Sequence, residues 1–189
     1  MPTGPLVLAS RSPQRRAILE QLGTPFEVRA PEVEELESGP PHEVAVENAY
    51  RKAHAVSEQG VDGRVLGADT VVALGGTIYG KPADRAEART TLEALSGRRH
   101  TVIGGLCLIA SDRRPRTAAA TTAVTFRVLN EGLLEWYLDT GEWRDRAGAY
   151  AIQGRGAALV RSIEGDYLNV VGLPVGLLME LEPELITAP

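Results

Sequence analysis

A chain of 189 residues with 43% hydrophobic and 24% charged residues has the make-up of an ordinary globular protein, large enough to bury a core within one domain over residues 1–189, built as one body or as two lobes. The net charge of −5 argues against duplex DNA or an anionic membrane as the main partner, while leaving room for a local basic pocket. A lone cysteine, Cys107, excludes an internal disulfide, and no apolar run reaches the roughly 18 residues of a membrane span. The first residues lack a basic stretch followed by an apolar one, so a cytoplasmic, metabolite-handling protein is the expectation.

In chain order, Leu6–Ala9 reads as a short buried strand and Pro13–Leu22 as a helix stopped by Gly23. Pro25–Pro41 reads as a loop or irregular strand carrying Glu32, Glu34 and Glu35, and Glu43–Glu58 as a helix closed at Gly60. Arg64–Leu74 is an apolar strand, Gly75-Gly76 a hairpin turn and Thr77–Tyr79 the return strand. Asp84 and Glu87 form a capping-box pattern opening a helix to Leu95. Two long strands, His100–Ala110 and Thr117–Leu129, flank the charged turn "SDRRPR"; Asn130 caps a helix to about Thr140. "AGAYAI" and "AALVRSI" read as strands and Pro174–Leu181 as the last helix. Helices and strands interleave, but several strands are joined by hairpins, so the sheet is expected to be mixed.

Two stretches carry chemistry. In "LVLASRSPQRRAIL" a strand feeds directly into a helix, with Ser12 as N-cap and Pro13 as the first helical residue. Free N–H groups and a positive dipole end make such a junction an anion site, to which the Ser10 and Ser12 hydroxyls add donors. Arg15 lies three before Ile18 and four before Leu19, on the apolar stripe, whereas Arg16 lies four before Glu20 on the outer side. A desolvated guanidinium needs a partner: a phosphate, or alternatively a structural carboxylate.

The second stretch, "RVLGADTVVAL", is apolar from Val65 to Leu74 except for Asp69 and Thr70. A buried carboxylate costs several kcal/mol unless it is paired or metal-bound. A two-residue turn at Gly75-Gly76 would bring Lys81 opposite Thr70, one step from Asp69. Only two of the 20 basic residues are lysine, Lys52 and Lys81. A composition that favours arginine so strongly leaves lysine where a compact ammonium is needed, chance survival being the alternative. Lys52 falls three after Ala49 and four before Val56, on the small-residue face of its helix; the alternative there is a snorkelling stem. Two lysines, an arginine and an aspartate at inner positions suit a polyphosphate with a divalent cation.

Other chemistries fit poorly. There is no G-x-x-x-x-G-K-[ST] motif, and "GRGAAL" is a weak dinucleotide fingerprint. His42, His54 and His100 show neither metal-ligand nor triad spacing. Cys107 sits in an apolar strand pattern and reads as core.

The chain resembles the Maf family of nucleoside triphosphate pyrophosphatases, within the inosine-triphosphatase-like superfamily. The likeness rests on "LASRSPQRRAIL", "ENAYRKA", "VLGADTVV", "GKP", "LSGRRHTVIGGL", and "DRAGAYAIQGRGAALV" followed by "GDYLNVVGLP", and covers nearly the whole length. It implies an α/β fold, an elongated mixed β-sheet flanked by helices, with two lobes and a substrate groove between them. It also implies cleavage between the α and β phosphates, giving a nucleoside monophosphate and pyrophosphate. The family's catalytic base matches Asp69, its phosphate-binding lysines Lys52 and Lys81, and the serine and second arginine of its first motif Ser10 and Arg15. The acidic residue after the first helix aligns with Glu35, beside Glu34, as a partner of Asp69 around a divalent metal cation, Mg2+ or Mn2+.

Asp69-Thr70 and Ile152-Gln153 are similar to the dTTP/UTP branch, in which Thr70 and Gln153 would read the base edge. Gln14 departs from it, standing where that branch has arginine and the N7-methyl-GTP branch a bulky aromatic, which implies a weaker base preference. The implied partner is a nucleoside triphosphate, with no stable nucleic-acid complex and no membrane; a homodimer is left open. The alternatives are a pyrophosphatase for N7-methyl-GTP or other modified nucleotides, and a nucleotide-binding regulator of septation with little catalysis, although the full set of base, lysines and arginine favours an enzyme over the regulator.

Overall fold

The computed structural model describes residues 4–110 and 112–185. Its centre is a seven-stranded mixed sheet. The strand β1 (Leu6–Ala9) leads into helix α1 (Pro13–Gln21), and β2 (Phe26–Val28) returns parallel to β1 at one edge. Helix α2 (Pro41–Ser57) precedes the long strand β3 (Arg64–Leu74), which pairs parallel with β1 and turns through Gly75-Gly76 into β4 (Thr77–Tyr79). Helix α3 (Arg85–Leu95) leads to β5 (Arg99–Ile109), and β6 (Pro115–Phe126) runs antiparallel to it. After α4 (Glu131–Thr140) the chain forms short 3-10 turns, then β7 (Val160–Glu164), α5 (Tyr167–Val171) and α6 (Val175–Leu181). The sheet order is β2-β1-β3-β5-β6-β7, with β4 on the outer part of β3.

Local chemistry accounts for most of these elements. Ser12 caps α1 through Arg15 N–H, and Asn130 caps α4 through Leu133 N–H. At α3 the Asp84 carboxylate accepts the Glu87 N–H at 2.8 Å, and Glu87 reaches back to the N–H of Ala83, one residue before the cap. The pairing β3–β5 is nine residues deep, from Val65–Ile109 to Ala73–Thr101. Such long non-local ladders hold β3 rigidly in the middle of the sheet.

The core is divided. One cluster joins Leu92, Leu95, Phe126, Leu134, Tyr137, Trp143 and Tyr150 beneath α3 and α4. Another joins Leu6, Leu8, Ile18, Leu19, Leu66, Leu106 and Leu178 around α1 and α6. On the opposite face α2 packs Ala49, Ala53 and Val56 on Val7, Val65 and Cys107. Cys107 is fully buried, and burial pushes its thiol up to about 12, so it is core as expected.

Three expectations are corrected. "AGAYAI" is no strand: Ala147–Ala149 form a 3-10 turn with Gly148 at φ 68, left-handed backbone that breaks extended pairing. In "AALVRSI" only the part from Val160 onward is a strand, because Arg155–Leu159 coil into a second 3-10 turn. Helix α5 stands where no element was expected; Asp166 caps it twice, through Leu168 and Asn169 N–H. Of the expected turn "SDRRPR", Ser111 lies outside the described residues. No helix among the described residues is long and apolar enough to cross a membrane.

One packing feature sets the position of α2. Gly67 of β3 and Gly105 of β5 lie under it so closely that a Cβ would come within 2.1 Å of the carbonyl oxygens of Ala49 and Ala45, respectively. Backbone cannot give way there as a side chain could. Gly67→Ala or Gly105→Ala is therefore expected to destabilise the fold by about 1–3 kcal/mol in urea unfolding. Gly176→Ala, in α6 with nothing within 4 Å, is expected to hold stability level or raise it by about 0.5–1 kcal/mol.

Candidate active site

The close approach of α2 brings two of its side chains over Asp69, which is paired in register with Gly105. Lys52 places Nζ 2.7 Å from Asp69 Oδ1 and 2.7 Å from Glu35 Oε2. Asn48, one turn earlier, donates from Nδ2 to Asp69 Oδ2 at 3.2 Å. The same amide holds the loop before α2: it donates to Leu36 O at 3.0 Å and accepts Leu36 N–H at 2.7 Å. Asn48 is thus a clamp that fixes Asp69 and delivers Glu35 to Lys52. Sequence reasoning missed it; the signal was a polar residue four before Lys52 on the same small-residue face.

Burial by itself would raise the Asp69 carboxyl. The charges of Lys52 and Arg15 and the hydrogen bonds from Lys52 and Asn48 outweigh it and hold the carboxyl below its ordinary value of 3.8. Asp69 is therefore an oriented anion at neutral pH. The snorkelling alternative for Lys52 is overturned, its side chain being 8% exposed. Glu35, 41% exposed, is the member of the acidic cluster that faces the cleft, whereas Glu34 offers only its backbone carbonyl, to Arg51.

Arg15 meets the sheet from the α1 side. Its Nε donates to Gly172 O at 2.8 Å, Nη1 to Ser10 Oγ at 3.0 Å and Nη2 to Thr70 Oγ1 at 3.0 Å. Every one of these acceptors is neutral, so the expected alternative of a structural carboxylate partner is not found among the described residues. Burial lowers its pKa, with Asp69 and Glu35 opposing that through space. Thr70, expected at the base edge, spends its hydroxyl lone pair on Arg15. The Gly172 carbonyl, at the end of α5, is a contact sequence reasoning missed, because α5 itself was missed.

These groups border a cleft of about 900 Å³, of the size that small-molecule sites have. Ser10, Gln14, Arg15, Glu35, Lys52, Asp69, Thr70, Lys81 and Gln153 all line it, so every residue expected at the site is on one cleft. They are not all in contact. The β3–β4 ladder ends at Val72–Tyr79, so Lys81 does not pair beside Asp69 as expected; it stands exposed on the rim. Gln153 is exposed on the segment after the first 3-10 turn. Gln14 is half-buried and its Oε1 accepts the Ser12 hydroxyl at 3.2 Å.

Among the described residues no three Asp, Glu, His or Cys side chains come together as a metal site. His100 stays apart from this chemistry: buried, stacked edge-on against Phe126 at 4.8 Å, with Nε2 3.0 Å from the Tyr150 hydroxyl. Burial lowers its pKa to about 4, so it is neutral at physiological pH.

An oriented carboxylate, a buried guanidinium bound only to neutral oxygens and two lysines, on one cleft, can bind a polyphosphate and direct a nucleophile at it. Comparison with known proteins finds chains similar to this one. A dTTP/UTP pyrophosphatase of Symbiobacterium thermophilum is 50% identical over 172 residues, covering 90% of this chain and 88% of that one. Those of Pyrococcus furiosus and Deinococcus radiodurans are 44% and 45% identical, covering 93% of this chain and 93% and 90% of theirs. Among solved structures, a HAM1 protein from Coxiella burnetii aligns with a TM-score of 0.49 at 21% identity, over 82% of this chain and 90% of that one. The Maf-like protein family matches residues 5–184, and the chain belongs to that family.

Proposed function

We propose that the protein hydrolyses nucleoside triphosphates to the monophosphate and pyrophosphate, with dTTP and UTP as its best substrates. The observation that carries this reading is Asp69, ionised and held by Lys52 and Asn48 on a cleft shared with the desolvated Arg15. The names borne by the similar enzymes support the nucleotide choice.

Water adds to the α-phosphorus while the bond from that phosphorus to the bridging oxygen breaks, and pyrophosphate leaves with the electron pair. Asp69 orients the water and accepts its proton. Its depressed pKa makes it a weak base, so its contribution is largely orientation. Lys52, Lys81, Arg15 and the N–H groups at the start of α1 neutralise the charge gathering on the departing oxygens. Donors fixed before the reaction need no reorganisation during it. Asp69 and Glu35 fit a hard divalent cation, Mg2+ or Mn2+, of the sort that takes one or two carboxylates and completes its shell with water and substrate phosphates. Bound there, it would supply further neutralisation of the phosphate oxygens.

Asp69→Asn is expected to keep the fold and lower kcat by about 10²–10⁴-fold, measured as pyrophosphate release with circular dichroism as the fold control. The wild-type kcat/KM should stay insensitive to Asp69 ionisation through the neutral and mildly acidic range and lose that contribution only on strong acidification, since the folded carboxyl is held below the usual carboxylate range.

The two lysines should answer differently to arginine. At position 52 the ammonium sits between two carboxylates at 2.7 Å, a geometry a planar fork does not reproduce. Lys52→Arg should therefore lose about tenfold or more in kcat/KM, whereas Lys81→Arg, on the open rim, should lose less than Lys81→Ala.

Base choice is tested by kcat/KM across dTTP, UTP, CTP, GTP, ATP and N7-methyl-GTP. The expected order is led by dTTP and UTP, and Gln14→Arg should strengthen that preference by adding a charged group at the mouth of α1. A ranking led by a purine would overturn the assignment.

A further inference from the structure

Arg146 is a cation of the cleft that the mechanism above does not use. It lines the same cleft as Asp69 and Lys81. Its Nε–H is buried and has no hydrogen-bond partner, and no carboxylate of the described residues pairs with it. A buried donor left unpaired costs about 1–3 kcal/mol; Arg64 Nε shares that condition, but the Arg64 guanidinium is paired with Glu182, whereas that of Arg146 has no such carboxylate among the described residues. The neighbouring arginines are accounted for: Arg144 is exposed and lies over the Trp143 ring at 4.5 Å, and Arg11 is exposed.

The backbone around Arg146 is held in place from both sides. Asp145 before it has φ 58 and Gly148 after it φ 68. A Cβ on Gly148 would lie 2.8 Å from Val72 of β3, so the 3-10 turn rests directly on the strand that carries Asp69. Gly148 N–H donates to Gly80 O at 3.1 Å, tying the Arg146 segment to the residue before Lys81. The two cations therefore belong to one wall of the cleft, held in a fixed relation, while Arg15 comes from α1 and Lys52 from α2.

We propose that Arg146 is a substrate-binding residue for the phosphate end of the nucleotide, acting with Lys81 on the departing pyrophosphate. The inference rests on the pyrophosphatase reading above. Phosphate chemistry suits it better than a base edge: with no carboxylate paired to it among the described residues and its terminal Nη groups not buried, the guanidinium can offer those two nitrogens to two oxygens at once.

The experiment compares wild type, Arg146→Ala and Arg146→Lys. Pyrophosphate release by the wild type tests the underlying reading on its own. Given that activity, Arg146→Ala should raise KM by about ten- to hundredfold for dTTP, UTP and CTP alike, the loss of one or two charge-assisted contacts. Product inhibition by pyrophosphate should weaken in parallel, with inhibition by the nucleoside monophosphate nearly unchanged. Arg146→Lys should recover part of the loss, because it restores the charge without the fork. Thermal unfolding and direct pyrophosphate titration of both variants separate binding from misfolding. Unchanged KM and pyrophosphate affinity in a folded variant would overturn the proposal. So would a loss confined to some bases, which would place Arg146 at the base.

Discussion

The distance between α2 and the sheet is the constraint on which the site depends. Two glycines, Gly67 and Gly105, let helix backbone touch strand backbone. Side chains on the near face of α2 then have almost no gap to cross, so Asn48 and Lys52 reach Asp69 directly. A larger residue at either glycine would lift the helix, and a 2.7 Å ion pair would lengthen into a water-separated one. The carboxylate would remain buried with only the charge of Arg15 left to oppose its burial cost. Small residues that look like packing detail are thus what keeps Asp69 ionised.

Charge balance in the cleft is arranged on two faces of β3. Successive residues of a strand point to opposite sides, so Asp69 turns toward α2 and Thr70 toward α1. The anionic face holds Lys52 with two carboxylates; the cationic face holds Arg15 with only neutral oxygens. A guanidinium at 8% exposure with no directly paired carboxylate among the described residues is a standing cost. An anionic ligand would remove that cost on binding, so part of its affinity would come from that relief, and the fold has to be stable enough elsewhere to carry it.

The sequence made much of this legible, for identifiable reasons. Arg15 and Lys52 could be placed because a helix has a fixed period and their apolar or small neighbours marked the inner face. Asp69 stood out because it interrupted an apolar strand. What failed was long-range placement. The alternation of "AGAYAI" looks like a strand, but Gly148 is left-handed and packs against Val72 of β3, a contact 76 residues away in sequence that no local pattern announces. Lys81 was placed by extending a ladder that in fact stops at Tyr79, since Gly80 lends its carbonyl to Gly148 and the chain leaves the sheet. The engagement of the Thr70 hydroxyl by Arg15 was likewise not legible, since a hydroxyl gives no sign of which partner will claim it.

Thr70 and Gln14 bear on base choice through geometry more than through direct reading. The Thr70 hydroxyl accepts from Arg15 at 3.0 Å, and the Gln14 amide oxygen accepts from Ser12, itself the cap of α1. Thr70, which resembles a branch marker, and Gln14, which departs from one, are therefore both engaged with the cleft end of α1. Changing either would shift Arg15 or the helix cap as well as the base contacts. With Arg15 in the proposed phosphate-binding role, discrimination among bases would be coupled to how the triphosphate is seated: a base that fits badly would displace the phosphates from Arg15. Gln153, exposed and on a separate segment, would on the proposed reading act on the base without engaging α1. A substitution there should alter selectivity with the least effect on phosphate binding, whereas one at Thr70 should alter both together.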